Sequence, residues 1–310
     1  MSLTVLFAAA ALWDEYQPSL SAAFAEAGLA ANLVQSADPA AVDYIIYAPS
    51  SPLQDFTPYK RCKAVLSLWA GVERIVGNST LTQPLCRMVD PALTEGMVEW
   101  VVGHVLRHHL GMDRHILNPA HVWDPGAPTP LARQRPVAML GIGALGTACA
   151  RALLALNFPV SGWARTQKTV TGMDCHHGDT GLRHVLRNAQ IVVTLLPKTP
   201  DTENLLNADR LALLPDGAVI VNPGRGALID DDALLAELNS GRLLHATLDV
   251  FRQEPLPADH PFWTNPRVTV TPHIAADTQP ESSARVIAAN ITRGEKGLPF
   301  LHLVDRTRGY

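Results

Sequence analysis

The sequence predicts two α/β domains, each a doubly wound parallel sheet with helices on both faces. The chain has 310 residues, about two domains at roughly 150 residues each. Short apolar runs alternate with helix-compatible stretches along most of its length, which is typical of parallel α/β sheets. Hydrophobic residues make up 47% of the chain and charged residues 17%, a globular composition that excludes a disordered or fibrous protein.

The first domain is predicted over residues 1–93, with a return of the chain over residues 281–310. Four apolar runs have the length of buried strands: Leu3–Ala9, Tyr44–Ala48, Ala64–Trp69 and Cys86–Val89. The stretch Ser19–Ala27, between the first two runs, is compatible with a helix. These elements predict a small parallel α/β unit.

The second domain is predicted over residues 94–280. Asp90-Pro91 ends the strand pattern of the first domain, and Thr94 with Glu95 can cap a long helix with apolar residues at 3–4 spacing. Six strand-like runs follow: Val137–Leu140, Pro159–Trp163, Ile191–Leu196, Ala218–Val221, Ala246–Val250 and Val268–Val270. Their short crossovers predict a doubly wound sheet. Between helix and sheet lies a polar, proline-bearing segment, Leu117–Pro136, which we expect to embrace a partner subunit.

Charge and cysteine content narrow the classes of partner. The chain carries 25 Lys+Arg against 29 Asp+Glu, a net charge of -4, and has no basic run for tracking phosphates, so nucleic acid is not expected as a partner. The apolar start, Leu3–Trp13, is too short to span a bilayer, and no membrane is expected. Four cysteines at scattered spacings (Cys62, Cys86, Cys149 and Cys175) favour free thiols and a cytoplasmic enzyme.

A glycine-rich turn follows the first strand of the second domain. The run Gly141-Ile142-Gly143-Ala144-Leu145-Gly146 is GxGxxG, directly after a strand-like run and directly before a helix-like one. In this pattern the first glycine permits the tight turn, the second lets backbone amides approach a pyrophosphate, and the third allows close packing of helix and strand. The alternative is a glycine-rich turn without a ligand. The context predicts a Rossmann-type dinucleotide-binding domain.

The residues after the second strand bear on which dinucleotide is bound. A carboxylate for the ribose is expected about 20 residues after the turn, yet no Asp or Glu occurs between Gly146 and Asp174. Arg165, Thr166 and Lys168 stand there instead, and two cations with a hydroxyl suit a 2′-phosphate. The sequence therefore favours NADPH over NADH, the alternative being a solvated basic loop.

Later strand ends also carry distinctive polar motifs. They read Leu196-Pro197-Lys198-Thr199-Pro200-Asp201-Thr202, Asn222-Pro223-Gly224-Arg225-Gly226, Leu248-Asp249-Val250-Phe251 with Glu254-Pro255-Leu256, Thr271-Pro272-His273-Ile274-Ala275, and a closing Val304-Asp305-Arg306-Thr307-Arg308-Gly309-Tyr310. In these motifs the chain resembles the D-isomer-specific 2-hydroxyacid dehydrogenases, and the resemblance extends over essentially its whole length. It is most similar to their short, NADPH-dependent glyoxylate/hydroxypyruvate reductase branch. The resemblance implies a Rossmann domain inserted into a smaller, flavodoxin-like substrate domain, with the active site in the cleft between them, and a homodimer.

The resemblance also implies a catalytic set of Arg225, Glu254 and His273. Reduction of a 2-keto acid needs a cation for the substrate carboxylate and carbonyl, and a proton donor for the nascent alkoxide. Arg225 and His273 are residues of these types. Because an unperturbed imidazole is mostly neutral at pH 7, a carboxylate such as Glu254 is needed to hold it protonated and in one tautomer.

Further binding residues follow from the same resemblance. In the first domain, Trp69, Ala70 and Gly71 match a loop whose backbone amides bind the substrate carboxylate, and Trp69 would limit the size of the substrate. Besides Arg165, Thr166, Lys168 and the glycine-rich turn, the positions expected to contact the cofactor are Leu196, Pro197, Thr202, Pro223, Asp249, His273 and Ala275.

Two histidine-bearing patterns do not predict a metal. His104 and His108 stand at i,i+4 on the long helix without a third ligand, and the run Asp174–His177 offers too few ligands at workable spacing. No metal site is predicted. The expected activity is hydride transfer from NADPH to glyoxylate or hydroxypyruvate. The alternatives are a dehydrogenase of the same family acting on another 2-keto acid, or a non-catalytic dinucleotide-sensing module.

Overall fold

The structure, a computed structural model, describes residues 2–116 and 121–309. Residues 117–120, at the start of the proline-bearing segment Leu117–Pro136, and Tyr310, the last residue of the closing run, lie outside the described residues. The chain divides into two compact units: the first comprises residues 1–93 with 277–310, and the second comprises residues 94–276.

The first unit is a parallel sheet with helices packed on it. Its five described strands are β1 (Leu3–Ala8), β2 (Ala31–Val34), β3 (Tyr44–Tyr47), β4 (Ala64–Ser67) and β5 (Leu85–Cys86). They lie in the order β2-β1-β3-β4-β5, each parallel to its neighbours. This is the flavodoxin-like order. Helix α1 (Trp13–Glu26) packs beside the final helix of the chain, α8 (Pro280–Glu295), on one face of the sheet.

The second unit is a larger sheet of the same kind. Its helices are α2 (Pro91–His109, entering from the first unit), α3 (Asp113–Ile116), α4 (Ala144–Ala155), α5 (Gly178–Asn188), α6 (Ala208–Leu211) and α7 (Asp231–Asn239). Its seven described strands are β6 (Val137–Leu140), β7 (Val160–Ala164), β8 (Asp174–His177), β9 (Ile191–Thr194), β10 (Val219–Asn222), β11 (His245–Leu248) and β12 (Val268–Val270). All pairs are parallel, in the order β12-β11-β10-β9-β6-β7-β8. Counted from the other edge this is the Rossmann order with one added strand, which confirms the predicted fold class.

The central strands are buried on both faces, as their continuous apolar sequences predict. In β9, Val192 faces a cluster formed with α5, α6 and α7, whereas Ile191 and Val193 face a cluster formed with α2 and α4. Successive side chains of a strand point to opposite faces, so a run such as Ile191–Val193 supplies both.

The structure differs from the predicted elements at two edge strands. The sequence does not predict strands β2 and β8, because these edge strands are half-exposed and partly polar and so lack a continuous apolar run. An edge strand buries less of its surface than a central one and needs fewer apolar residues.

Two helices begin earlier than predicted. Helix α1 begins at Trp13 rather than Ser19, with Pro18 inside it. Helix α2 begins at Pro91, and Asp90 rather than Thr94 caps it, since Asp90 Oδ1 accepts a hydrogen bond from the amide of Leu93 at 3.0 Å. Proline is well suited to the first position of a helix, where its missing N–H costs nothing.

The return of the chain to the first unit lies at residues 276/277 rather than at the expected 280/281. The residues before α8 already bond within the first unit: Tyr16 Oη donates to the carbonyl of Thr278 at 3.3 Å. The expected boundary followed the start of the helix, whereas the change of unit precedes it.

The described helices include none long and apolar enough to cross a bilayer. The four cysteines are free thiols. Burial raises the pKa of Cys62, Cys86 and Cys149 to about 12, which makes these thiols poor nucleophiles.

Buried His108 joins the end of α2 to strand β11, and half-buried His245 joins β11 to β12. His108 Nε2 lies 2.8 Å from Thr247 Oγ1, His245 Nε2 lies 2.8 Å from Thr269 Oγ1, and the two rings are 5.0 Å apart. Burial lowers the pKa of His108 to about 3 and that of His245 to about 4, with smaller contributions from His245 at His108 and from Arg107 at both. Both imidazoles are therefore neutral in the folded protein at pH 7.

This pair predicts loss of stability in acid. Between about pH 6.5 and pH 4 the unfolded chain binds protons at both histidines that the folded chain does not, so the free energy of unfolding falls as the pH falls. His108→Gln, which can keep the bond to Thr247, should remove about half of this dependence, measured by urea unfolding from pH 7.5 to pH 4.5. Exposed His177→Gln is the control. An unchanged dependence in His108→Gln would contradict the assignment.

Candidate active site

The glycine-rich turn lies at the switch point of the second sheet, where the strand order reverses between β6 and β9. Gly141 has φ +103°, and a Cβ there would lie 2.6 Å from the carbonyl oxygen of Leu195. A Cβ at Gly146 would lie 1.9 Å from the carbonyl oxygen of Gly141, so α4 packs closely on the turn. At Gly143, which precedes the helix, a Cβ would meet nothing within 4 Å.

This arrangement fits a bound pyrophosphate. The first amides of a helix have no partner within it, and a helix N-terminus favours a bound phosphate, so the start of α4 after Gly143 offers donors of this kind. Ala144 is exposed and Leu145 half-buried at this end. Contact of the turn with a cofactor stays a prediction, for which the geometry supplies the space and the donors.

The basic segment after β7 lies beside the same turn. Arg165, Thr166 and Lys168 are exposed, and Lys168 Nζ donates a hydrogen bond to the carbonyl of Ile142 at 3.2 Å. That carbonyl belongs to the glycine-rich turn, so the fold places positive charge next to the predicted dinucleotide position. A plain solvated loop would not require this bond.

The loop after β10 brings Arg225 to the carboxyl edge of the sheet. Asn222, at the end of the strand, accepts from Thr194 Oγ1 at 2.5 Å and from the amide of Gly224 at 3.1 Å, while its Nδ2 donates to the carbonyl of Arg225. A Cβ at Gly226 would lie 2.0 Å from the carbonyl carbon of Phe251, so this loop packs directly on the loop after β11. Arg225 is half-buried, with its Nη1 donating to the carbonyl of Gly224 at 2.7 Å.

His273 and Glu254 form a direct pair. His273 Nδ1 lies 2.8 Å from Glu254 Oε2, and Glu254 Oε1 accepts a hydrogen bond from the amide of Phe251 at 2.8 Å. A carboxylate only accepts, so Nδ1 carries the hydrogen and Nε2 is the atom that can face a substrate. The imidazole is 52% exposed, which leaves it accessible to a ligand.

Asp249 fixes the loop that carries His273. Its fully buried carboxylate accepts from Thr271 Oγ1 at 2.6 Å, from the amide of Ile274 at 2.9 Å and from the amide of Ala275 at 2.9 Å. Its carbonyl accepts from the amide of His273 at 2.8 Å. The loop is held from both sides of His273, whose φ of +56° is unusual for a residue with a side chain. Sequence reasoning expected Asp249 at the cofactor and missed this positioning role, for which Thr271 at the strand end was the available signal.

The other predicted cofactor contacts stay predictions. The Thr202 hydroxyl donates to the carbonyl of Pro197 at 2.7 Å and accepts from the amide of Thr199. These two bonds hold the loop that follows β9 and Leu196. Pro223 and Ala275 are buried within the loops after β10 and β12.

The predicted carboxylate-binding loop of the first unit follows β4. The amide of Trp69 donates to Ser67 Oγ at 3.1 Å, and the carbonyl of Trp69 accepts from the amide of Met88 at 3.0 Å. The indole is 39% exposed rather than packed in the core. Ala70 and Gly71 are half-buried in the following bend, and their role toward a substrate stays a prediction.

A parallel sheet with a glycine-rich switch point, followed by Arg225 and a His273–Glu254 pair at the same edge, defines a dinucleotide-dependent dehydrogenase. Comparison with known proteins specifies the family. The family model "D-isomer specific 2-hydroxyacid dehydrogenase, NAD binding domain" matches residues 101–275. This chain belongs to the D-isomer-specific 2-hydroxyacid dehydrogenase family, which confirms the resemblance noted in its motifs.

Individual relatives cover most or all of the chain. A glyoxylate/hydroxypyruvate reductase A from Salmonella heidelberg is 38% identical over 259 residues, 81% of this chain and 83% of the relative. A D-isomer-specific 2-hydroxyacid dehydrogenase from Xanthobacter autotrophicus Py2, solved with NADPH and MES, matches with a TM-score of 0.91 at 37% identity, covering 100% of this chain and 99% of the other. An NADPH-dependent glyoxylate/hydroxypyruvate reductase from Sinorhizobium meliloti, solved with NADP and sulfate, has a TM-score of 0.87 at 32% identity and full coverage of both chains.

The buried carboxylate predicts a specific loss on replacement. Asp249→Asn turns one acceptor into a donor that faces a backbone or hydroxyl donor, so at least one buried hydrogen bond is lost. The unfolding free energy should fall by about 1–3 kcal/mol and kcat should fall with it, because His273 is less firmly held. Thr271→Val, which removes only one donor, should cost about 0.5–1.5 kcal/mol. Denaturant unfolding and kcat measure both, and wild-type stability and kcat in Asp249→Asn would contradict the positioning role.

Proposed function

We propose that this chain reduces glyoxylate and hydroxypyruvate to glycolate and glycerate. The observation that carries the proposal is the His273–Glu254 pair, with Nδ1 and Oε2 2.8 Å apart, at the same sheet edge as Arg225 and the glycine-rich turn. The choice of substrates is based on the relatives from Salmonella and Sinorhizobium, which are named glyoxylate/hydroxypyruvate reductases.

The residues divide the chemistry between them. Bound NADPH supplies the hydride that adds to the keto carbon. Arg225 binds the substrate carboxylate and polarises the carbonyl oxygen, which lowers the cost of the negative charge that develops there. His273 gives the proton on Nε2 to that oxygen, while Glu254 holds Nδ1–H and stabilises the charged imidazolium before transfer.

The cofactor choice rests on Arg165, Thr166 and Lys168. A 2′-phosphate carries charge that these cations can pair with, and Lys168 already lies on the glycine-rich turn. The sequence offers no acidic side chain between Gly146 and Asp174 to bind the two ribose hydroxyls of NADH.

We also propose a homodimer in the cytoplasm. Large apolar side chains are exposed along the segment between α2 and β6, among them Leu110, Met112, Ile116, Val122, Trp123 and Leu131. Trp123 is 97% exposed, and several large apolar side chains exposed within one segment favour an interface. The free cysteines support a reducing compartment.

Sedimentation of the purified protein tests the dimer, and a monomer at micromolar concentration would contradict it. Cell fractionation tests the location.

The direct test of the activity is steady-state kinetics on a panel of 2-keto acids with NADPH and NADH. We expect the highest kcat/KM for glyoxylate or hydroxypyruvate with NADPH. A higher value for a larger 2-keto acid would assign the enzyme another substrate in the same family, and no nicotinamide oxidation with any substrate would favour a sensing module.

The proton-donor assignment predicts graded losses. His273→Ala should lose roughly 10²- to 10⁴-fold in kcat, because the alkoxide then has no positioned acid. Glu254→Gln should lose roughly 10-fold, since the amide can still accept from Nδ1–H but no longer stabilises the imidazolium by charge. His177→Ala, an exposed histidine at another strand end, is the control. If His273→Ala keeps more than a tenth of the wild-type kcat, His273 is not the acid.

The basic segment predicts a cofactor-specific effect. Arg165→Ala should raise the KM for NADPH roughly 10-fold or more and leave the KM for NADH nearly unchanged, because a charge-assisted contact contributes about 1.5–3 kcal/mol. Arg151→Ala, which removes an exposed arginine from α4, should affect neither cofactor. Equal kcat/KM for the two cofactors in the wild-type enzyme would refute the NADPH preference.

A further inference from the structure

Three metal-ligating side chains meet where edge strand β8 packs against α5. Asp174 and His176 are alternate residues of the strand and point to one face, and His184 reaches them from the helix. One ligand atom from each lies within 4.8 Å of the others. His176 Nε2 is 2.8 Å from Asp174 Oδ2, and the two imidazole rings are 4.7 Å apart.

The backbone holds this cluster in place. Trp163 Nε1 donates to the carbonyl of Gly178 at 2.9 Å, which ties the start of α5 to the neighbouring strand β7. A Cβ at Gly181 would lie 3.0 Å from the Cβ of His176, so a glycine one turn before His184 lets the helix approach the strand closely. The separation of His176 and His184 is therefore set by the packing of α5.

The donor set points to a particular class of ion. Two imidazole nitrogens and a carboxylate oxygen suit Zn²⁺ and its divalent neighbours, whereas Mg²⁺ and Ca²⁺ prefer oxygen alone. Tetrahedral bonds of about 2.0–2.1 Å place ligand atoms about 3.3 Å apart, so the cluster needs only small side-chain rotations. The side chain of Asp174 is 69% exposed and can make them. The cluster opens to solvent through a depression bordered by Gln167 and Thr180, which leaves a fourth position for water or an anion.

We propose that Asp174, His176 and His184 bind one divalent transition-metal ion of the zinc class. This site is separate from the His273–Glu254 pair and takes no part in the proposed reduction. Within the part of the chain that the structure describes, it is the one group of three such side chains with ligand atoms this close. The ion would cross-link β8, the last strand of the sheet, to α5.

Metal titration of the wild-type chain tests the proposal. The protein should carry no histidine tag and should first be treated with a chelator. Calorimetric titration with Zn²⁺ should give one saturable equivalent, and Co²⁺ should give a visible absorption band that reports its coordination. At a free ion concentration of 100 times the dissociation constant, the Tm should rise by roughly 4 °C, because the ion binds only the folded protein.

Matched variants locate the site. His184→Ala and Asp174→Asn should each weaken binding at least roughly 10-fold, since loss of outer partners of metal ligands already costs that much. His115→Ala, which removes an exposed histidine of α3 that does not line this depression, should bind like the wild type. A circular dichroism spectrum without metal confirms that each variant is folded. If His184→Ala does not fold, Asp174→Asn, which changes a well-exposed side chain, still tests the proposal.

Three outcomes would overturn the proposal. Unchanged binding in both ligand variants would place the ion elsewhere. Equal weakening in His115→Ala would indicate nonspecific binding to surface histidines. Absence of saturable binding up to millimolar Zn²⁺ would leave the cluster as an ordinary Asp–His hydrogen bond beside a second, tilted imidazole ring.

Discussion

The buried carboxylate of Asp249 connects the sheet of the second unit to its chemistry. Asp249 lies directly after strand β11 and accepts hydrogen bonds from the loop after β12. These bonds join the ends of two neighbouring strands. A carboxylate buried without partners would be expensive, and backbone and hydroxyl donors satisfy this one on both oxygens. His273 lies in the middle of the loop that results. The orientation of its imidazole therefore depends on a residue that is itself fully buried.

The same edge is assembled by glycines that permit backbone contact. Gly226 brings the Arg225 loop onto the loop that leads to Glu254, and Gly146 brings α4 onto the turn of Gly141. In each case a Cβ would overlap a backbone atom, which cannot rotate away as a side chain can. The loops after β10 and β11, and the turn after β6 with α4, therefore meet through direct backbone contact. That convergence turns the open edge of a parallel sheet into a place where a cofactor and a small acid can be bound together.

The residues typical of the family and the proposed zinc-class site lie in different parts of the second unit. The glycine-rich turn, Arg225 and the His273–Glu254 pair gather at the switch point and at the strands on one side of it. The cluster of Asp174, His176 and His184 lies at the opposite edge, on a strand with polar residues at every position but one. Edge strands tolerate such residues because one side faces solvent, which leaves room for a function that the central strands cannot carry.

The sequence by itself determined the fold class and the family, and it named the residues of the candidate site. Central strands such as Ile191–Thr194 are apolar throughout because they are buried on both faces, and a motif such as GxGxxG is local in the chain, so both can be recognised without a structure. The polar edge strand β8 gave no such signal, and neither did the start of α2, where Thr94 was the expected cap and Asp90 is the residue whose carboxylate bonds the helix.

The tertiary structure alone decided which side chains meet. Asp249 and Ala275 are 26 residues apart, and His184 joins His176 only because Gly181 lets α5 approach the strand. Sequence patterns report the periodicity of one element, whereas contacts between elements depend on how closely their backbones pack. For that reason the sequence named His273 and Glu254 as partners but missed what holds His273 in place.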